Sequence, residues 1–133
     1  MDFTDIIKPG IEGESTETVT DKNTANAYGS GLLDVYSTPA MIALMENSAF
    51  SVIAPLLPPE FSTVGSEVNI KHLSASPIGM KITAKAKLLE IDRRALIFKV
   101  EAFDEKGIIG EGIHTRFIVE IEKFMAKTKA KKS

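Results

Sequence analysis

The sequence predicts an α+β domain in which one long apolar helix is covered by an antiparallel sheet. Three observations carry this. Residues 40–54 are nearly free of charge and are closed off by Pro55, Pro58 and Pro59. After Pro59, polar and apolar residues alternate with period two, the mark of half-buried strands. The turns between the alternating runs are only a few residues long, so neighbouring strands must run antiparallel. A chain of 133 residues is one domain's length and can bury a core without metal or disulfide staples. The expected division is a domain over 1–127 and a basic tail over 128–133.

Taken in order, Gly13–Thr20 is threonine-rich and reads as an edge strand. Residues 21–31 are small and polar, and read as a short helix or loop. Ser37-Thr38-Pro39 marks a helix start, because a hydroxyl can cap free N–H groups and proline suits the first turn. The helix that follows carries one charge, Glu46, and is apolar nearly all round, so it is expected to be buried on most sides.

In the next strand Val64, Ser66, Val68, Ile70 and His72 share the apolar face. After a turn at Pro77-Ile78-Gly79, Ile82, Ala84, Ala86 and Leu88 line one face. Beyond Asp92-Arg93-Arg94 the inward set is Leu96, Phe98, Val100 and Ala102. Asp104-Glu105-Lys106-Gly107 turns again into a last strand of about 108–122, with Ile109, Ile113, Phe117, Val119 and Ile121 on one face. By that parity His114 and Arg116 point to solvent; Arg116 otherwise pairs with a carboxylate or phosphate. The last ten or so residues read as a frayed end. Only the helix is greasy enough to cover the sheet, and that layout is the hotdog fold. Ile97 and Phe103 face outward and suggest a second subunit.

Composition excludes several functions. Without cysteine there are no disulfides, thiolate metal sites or cysteine nucleophile, and two histidines speak against a multi-histidine metal cage, so no metal is expected. A net charge of −2 speaks against nucleic acid. Lys123, Lys127, Lys129, Lys131 and Lys132 form the one basic cluster, either a solvated end or a loose contact to an anionic ligand. Glu46, Asn47, Ser48 and Ser51 interrupt the apolar stretch against a membrane span, and the first residues lack a basic run followed by an apolar one. A cytoplasmic protein is expected.

Chemistry then falls to few side chains. A lone carboxylate on an apolar helix is costly to bury, so Glu46 pairs, shifts its pKa, or sits at an opening. His72 faces inward toward that helix, or toward its copy in a dimer; its plainer reading is a satisfied core residue. Thr38 is either the helix cap or a hydroxyl at the positive helix end, where a polarised carbonyl would bind. Glu46 lies about 12 Å along the axis and about 80° round from Thr38, which warns against a simple triad. Gly65 within a strand implies a bulge or a close backbone approach to ligand. Gly107, Gly110 and Gly112 lack phosphate-loop spacing.

At these residues the chain resembles the hotdog thioesterases, specifically the fluoroacetyl-CoA thioesterase group. The resemblance runs from about Val35 to Lys127. Its marks are Val35-Tyr36-Ser37-Thr38, Leu44-Met45-Glu46, Val64-Gly65, His72, Ala75-Ser76-Pro77-Ile78-Gly79-Met80, Ile109-Gly110-Glu111-Gly112-Ile113-His114-Thr115-Arg116 and Glu122-Lys123-Phe124-Met125-Ala126-Lys127. It implies Thr38, Glu46 and His72 as the catalytic threonine, glutamate and histidine, and active sites at a subunit interface. Gly65, Tyr36 and Arg116 are the candidate substrate-binding residues.

The expected activity is hydrolysis of a small acyl-CoA thioester by a homodimer or higher homo-oligomer. Coenzyme A is then part of the substrate, and no retained cofactor is expected. The group's aromatic-rich segment is here Tyr28-Gly29-Ser30-Gly31-Leu32-Leu33, which favours a generic acyl group over a fluorinated one. The alternative is a non-catalytic acyl-CoA binder on the same fold. A hydratase would need an aspartate–histidine pair on another segment, and no matching arrangement is present.

Overall fold

A five-stranded antiparallel sheet and one long helix make up the chain, for which a computed structural model describes residues 1–132. In chain order the elements are β1 (Glu12–Thr18), α1 (Ala25–Tyr28), α2 (Thr38–Ile53), β2 (Phe61–His72), β3 (Lys81–Asp92), β4 (Ala95–Asp104), β5 (Gly107–Glu120) and α3 (Ile121–Lys129). The strand order is β1-β3-β4-β5-β2, and every neighbouring pair is antiparallel. β1 and β2 are therefore the two edges.

The α+β expectation holds, and β3 and β4 follow their alternation. Ile82, Ala84, Ala86 and Leu88, with Leu96, Phe98, Val100 and Ala102, are buried against the helix side. α2 crosses β1 so closely that a side chain on Gly13 would collide with the Ser48 carbonyl. Arg93, at φ 58, takes the left-handed conformation that closes the tight β3–β4 turn.

The cap of α2 is Ser37: its hydroxyl accepts from the Ala40 N–H at 3.2 Å, with Pro39 in the first turn. Thr38 is the first helical residue and not the cap. Ala40, Met41, Leu44, Met45, Ser48, Ala49 and Ile53 form the buried face. The expectation of burial on most sides needs correction. One sheet covers one face, and Pro39, Ala43, Asn47 and Phe50 remain exposed. By length and composition the stretch Thr38–Leu56 would suffice to cross a membrane; here it is the core helix on the sheet.

Strand parity departs from expectation at two places. β2 carries a register shift between Gly65 and Glu67. Gly65 opposes Arg116 and His72 opposes Gly110, so Thr63 and Gly65 face the helix before the shift, and Val68, Ile70 and His72 face it after. Val64 and Ser66 are not on that face. In β5 the inward residues are Gly110, Gly112, His114, Arg116 and Ile118, while Ile113 and Phe117 are exposed. The solvent-facing expectation for His114 and Arg116 is thus reversed: they are 1% and 7% exposed.

The ends are ordered into structure. Phe3 and Ile7 are buried, Phe3 packs edge-on against Phe61 at 5.2 Å, and the Arg94 guanidinium lies over both rings. The expected frayed C-terminus is helical: α3 runs to Lys129, across the 127/128 boundary, and a 3-10 turn covers Ala130–Lys132.

Candidate active site

Local backbone bonds explain why the start of α2 meets the end of β2. The Tyr36 N–H donates to the Ser76 carbonyl and the Ser37 N–H to the Asn23 carbonyl, while the Leu73 N–H donates to the Ile109 carbonyl. These pin residues 36–38 beside residues 72–76. The Thr38 hydroxyl, freed from capping, lies 2.7 Å from His72 Nδ1. Burial lowers the His72 pKa, and the Ser74 carbonyl opposes this, so the ring is neutral near pH 7. His72 Nε2 is buried and, among the described residues, has no hydrogen-bond partner. An open cleft adjoins the pair, lined by Ser30, Tyr36, Ser37, Thr38, His72 and Leu73 among others.

Eight residues along α2, a second cleft is lined by Ala43, Glu46, Asn47, Phe50, Gly65 and Arg116. Gly65 is what leaves it open. A Cβ there would sit 2.9 Å from Glu46 Oε2, 3.3 Å from His114 Cε1 and 3.6 Å from Arg116 Nη1. The guanidinium is buried and held: Nε donates to Thr63 Oγ1 at 2.9 Å, Nη2 to the Thr63 carbonyl at 3.0 Å, and Nη1 to His114 Nε2 at 3.2 Å. It also lies 5.7 Å from the centre of the Phe50 ring. Burial lowers the Arg116 pKa and the charge of Glu46 opposes this. Carboxylate and guanidinium face each other across the gap, and among the described residues no direct ion pair joins them.

Thr38 and His72 are thus brought together, and Glu46, Gly65 and Arg116 are brought together, but in two clefts of the single chain. Tyr36 is a wall of the first. Its ring is buried, its hydroxyl donates to Glu17 at 2.5 Å, and burial pushes its pKa up. Phe50 lines the second cleft, Thr63 and His114 hold its guanidinium, and none of the three was singled out as a site residue by sequence. Gly65 gave the signal for the strand irregularity, but nothing gave its length, and that length decides which β2 residues face the helix.

The fold and the family are set by comparison with known proteins. Residues 19–122 match the family model described as fluoroacetyl-CoA-specific thioesterase. The fluoroacetyl-CoA thioesterase of Streptantibioticus cattleyicolor is 35% identical over 98 residues, 74% of this chain and 70% of that protein. A mutant of the fluoroacetyl-CoA thioesterase solved with acetyl-CoA superposes with a TM-score of 0.88 at 28% identity, over 96% of this chain and 100% of that one. A hot-dog-like protein from Thermanaerovibrio acidaminovorans, 20% identical, has the same fold, with a TM-score of 0.90 over 98% of this chain and 97% of that one. The chain belongs to the fluoroacetyl-CoA-specific thioesterase family of hotdog thioester hydrolases.

Proposed function

We propose that the protein hydrolyses a small acyl-CoA thioester to the free acid and coenzyme A, as a homodimer with its active sites between subunits. The observation that carries this is the Thr38–His72 pair, hydroxyl to Nδ1 at 2.7 Å, in the lining of an open cleft. Relatives named as thioester hydrolases support turnover, and the non-catalytic binder is not favoured.

Two unfinished surfaces support the dimer. The exposed strip of α2 includes Pro39, Ala43 and Phe50. β2 is a twelve-residue edge strand, and open edges of that length are usually covered. A twofold axis near Ile42 would set Thr38 of one helix level with the partner subunit's Glu46, since 42 is midway between 38 and 46. Each site then joins Thr38 and His72 of one protomer to the carboxylate of the other.

In that site the thioester carbonyl is polarised by backbone N–H groups near Gly65 or at the start of α2. Glu46 either takes a proton from the attacking water or attacks as nucleophile, with water then opening the acyl intermediate. Thr38 and His72 relay to the departing thiolate the proton released by the water, so that both end the cycle in their starting forms. Neutral His72 relays that proton rather than storing it. Arg116 and Tyr36 border the acyl group. The 28–33 segment reaches the first cleft through Ser30 and carries exposed Leu32 and Leu33, which fits a generic acyl group. A cytoplasmic site of action goes with this reading.

The test is thiol release over a panel of short acyl-CoA esters. Glu46→Ala and His72→Ala are each expected to slow hydrolysis at least about tenfold with the thermal transition preserved. Full activity in both variants would end the assignment.

A further inference from the structure

His114 is fully buried beside the second cleft and is used by none of the steps above. Its Nδ1 lies 2.8 Å from the Glu67 carbonyl, and its Nε2 lies 3.2 Å from Arg116 Nη1. A carbonyl only accepts and a guanidinium N–H only donates. One form of the ring satisfies both contacts: neutral, with the proton on Nδ1. The Nε2–H tautomer and the imidazolium each turn an N–H against the Arg116 donor. Glu67 is the first paired residue after the register shift that begins at Gly65, so the ring ties the irregular turn of β2 to the guanidinium.

Resting on the thioesterase reading, we propose that His114 is a positioning residue: in this one tautomer it couples the β2 bulge to Arg116 and holds the guanidinium opposite Glu46. Arg116 has two further anchors, both on Thr63. Among the described residues His114 alone fixes Nη1, the nitrogen that flanks the space over Gly65. The charged groups acting on the ring are Arg116 on its own strand and Glu46 from α2. Its cross-strand neighbours, Val68 on β2 and Phe98 on β4, are uncharged. Burial lowers its pKa, so the neutral form holds at neutral pH.

Two variants split the two contacts. His114→Asn keeps a donor for the Glu67 carbonyl and loses the acceptor for Arg116. His114→Gln keeps the acceptor and loses the donor. The expectation is a fall in kcat of at least about tenfold for His114→Asn, with KM changed less than about threefold, and partial recovery in His114→Gln, which restores the acceptor for Arg116 but not the tie to the bulge. A folded His114→Asn variant with wild-type kcat overturns the proposal, as does a His114→Gln variant no better than His114→Asn.

Ring-nitrogen NMR on the unmodified protein decides independently of activity and of variant folding. The chain has two histidines, and His72→Asn assigns their signals. At neutral pH the His114 ring should show Nδ1 protonated and Nε2 bare; an Nε2–H or doubly protonated ring overturns the proposal. If the wild type releases thiol from no acyl-CoA, the thioesterase reading fails, and the tautomer spectrum still judges the His114 geometry on its own.

Discussion

Gly65 shows how one missing side chain shapes the site. A methyl group there would meet the tip of the Glu46 side chain, 2.9 Å away, which can swing aside, and would press on the His114 ring at 3.3 Å, which needs to give by only a few tenths of an ångström. Gly65→Ala should therefore fold with little change in thermal midpoint while losing thioester hydrolysis, because the displaced carboxylate leaves its place opposite Arg116. Thiol-release rates beside a thermal melt would check this; an unchanged rate would show that the gap is not used. Acid should act on the two histidines. Both have lowered pKa values, chiefly through burial, so the unfolded chain takes up protons near the ordinary value of 6.5 while the folded chain resists. Stability from these groups is full above about pH 6.5 and is lost as pH falls through the lowered folded values. The melting temperature should fall between about pH 7 and about pH 5, and a rise over that window would contradict the assignment. Glu46 was legible in the sequence because a charge on an apolar helix is conspicuous. The burial of His114 and Arg116 was not, although Arg116 was a candidate, since burying a guanidinium beside a glycine gap runs against the ordinary partition of polar residues to the surface.

The opening turn of α2 divides two tasks between adjacent hydroxyls. Ser37 caps the helix and Thr38 holds His72. Ser37→Ala should cost about 1 kcal/mol of stability in a denaturant titration. Thr38→Ala should leave stability nearly unchanged and lower turnover. The reverse pattern would return the cap to Thr38. The helix itself was legible from its hydroxyl-proline start and its three closing prolines, and β3 and β4 from clean alternation. β2 and β5 were only partly legible. A bulge shifts parity by one, so one unseen irregularity exchanges the two faces of everything beyond it. β5 also presents Ile113 and Phe117 outward, and apolar residues on both faces remove the contrast on which alternation depends.

At the scale of the whole molecule, the separation of the two clefts makes a prediction that a single-chain site cannot share. If each site takes Thr38 from one protomer and Glu46 from the other, inactive Thr38→Ala and inactive Glu46→Ala proteins should complement when refolded together. Random pairing makes half the dimers mixed, and each mixed dimer holds one intact site, so about a quarter of wild-type activity should return. No recovery, in material shown to contain mixed dimers, would place the whole site within one chain.

Phe3 and Ile7 have a practical consequence for anyone handling the protein. They act as a stopper in the end of the sheet, with Phe3 against Phe61 under the Arg94 guanidinium. Proteolytic nicking just beyond Ile7, or an affinity tag fused so tightly that it drags Phe3 outward, would unseal a greasy socket. Such material should precipitate or bind hydrophobic dyes, whereas a spacer placed before Met1 should leave the preparation clear.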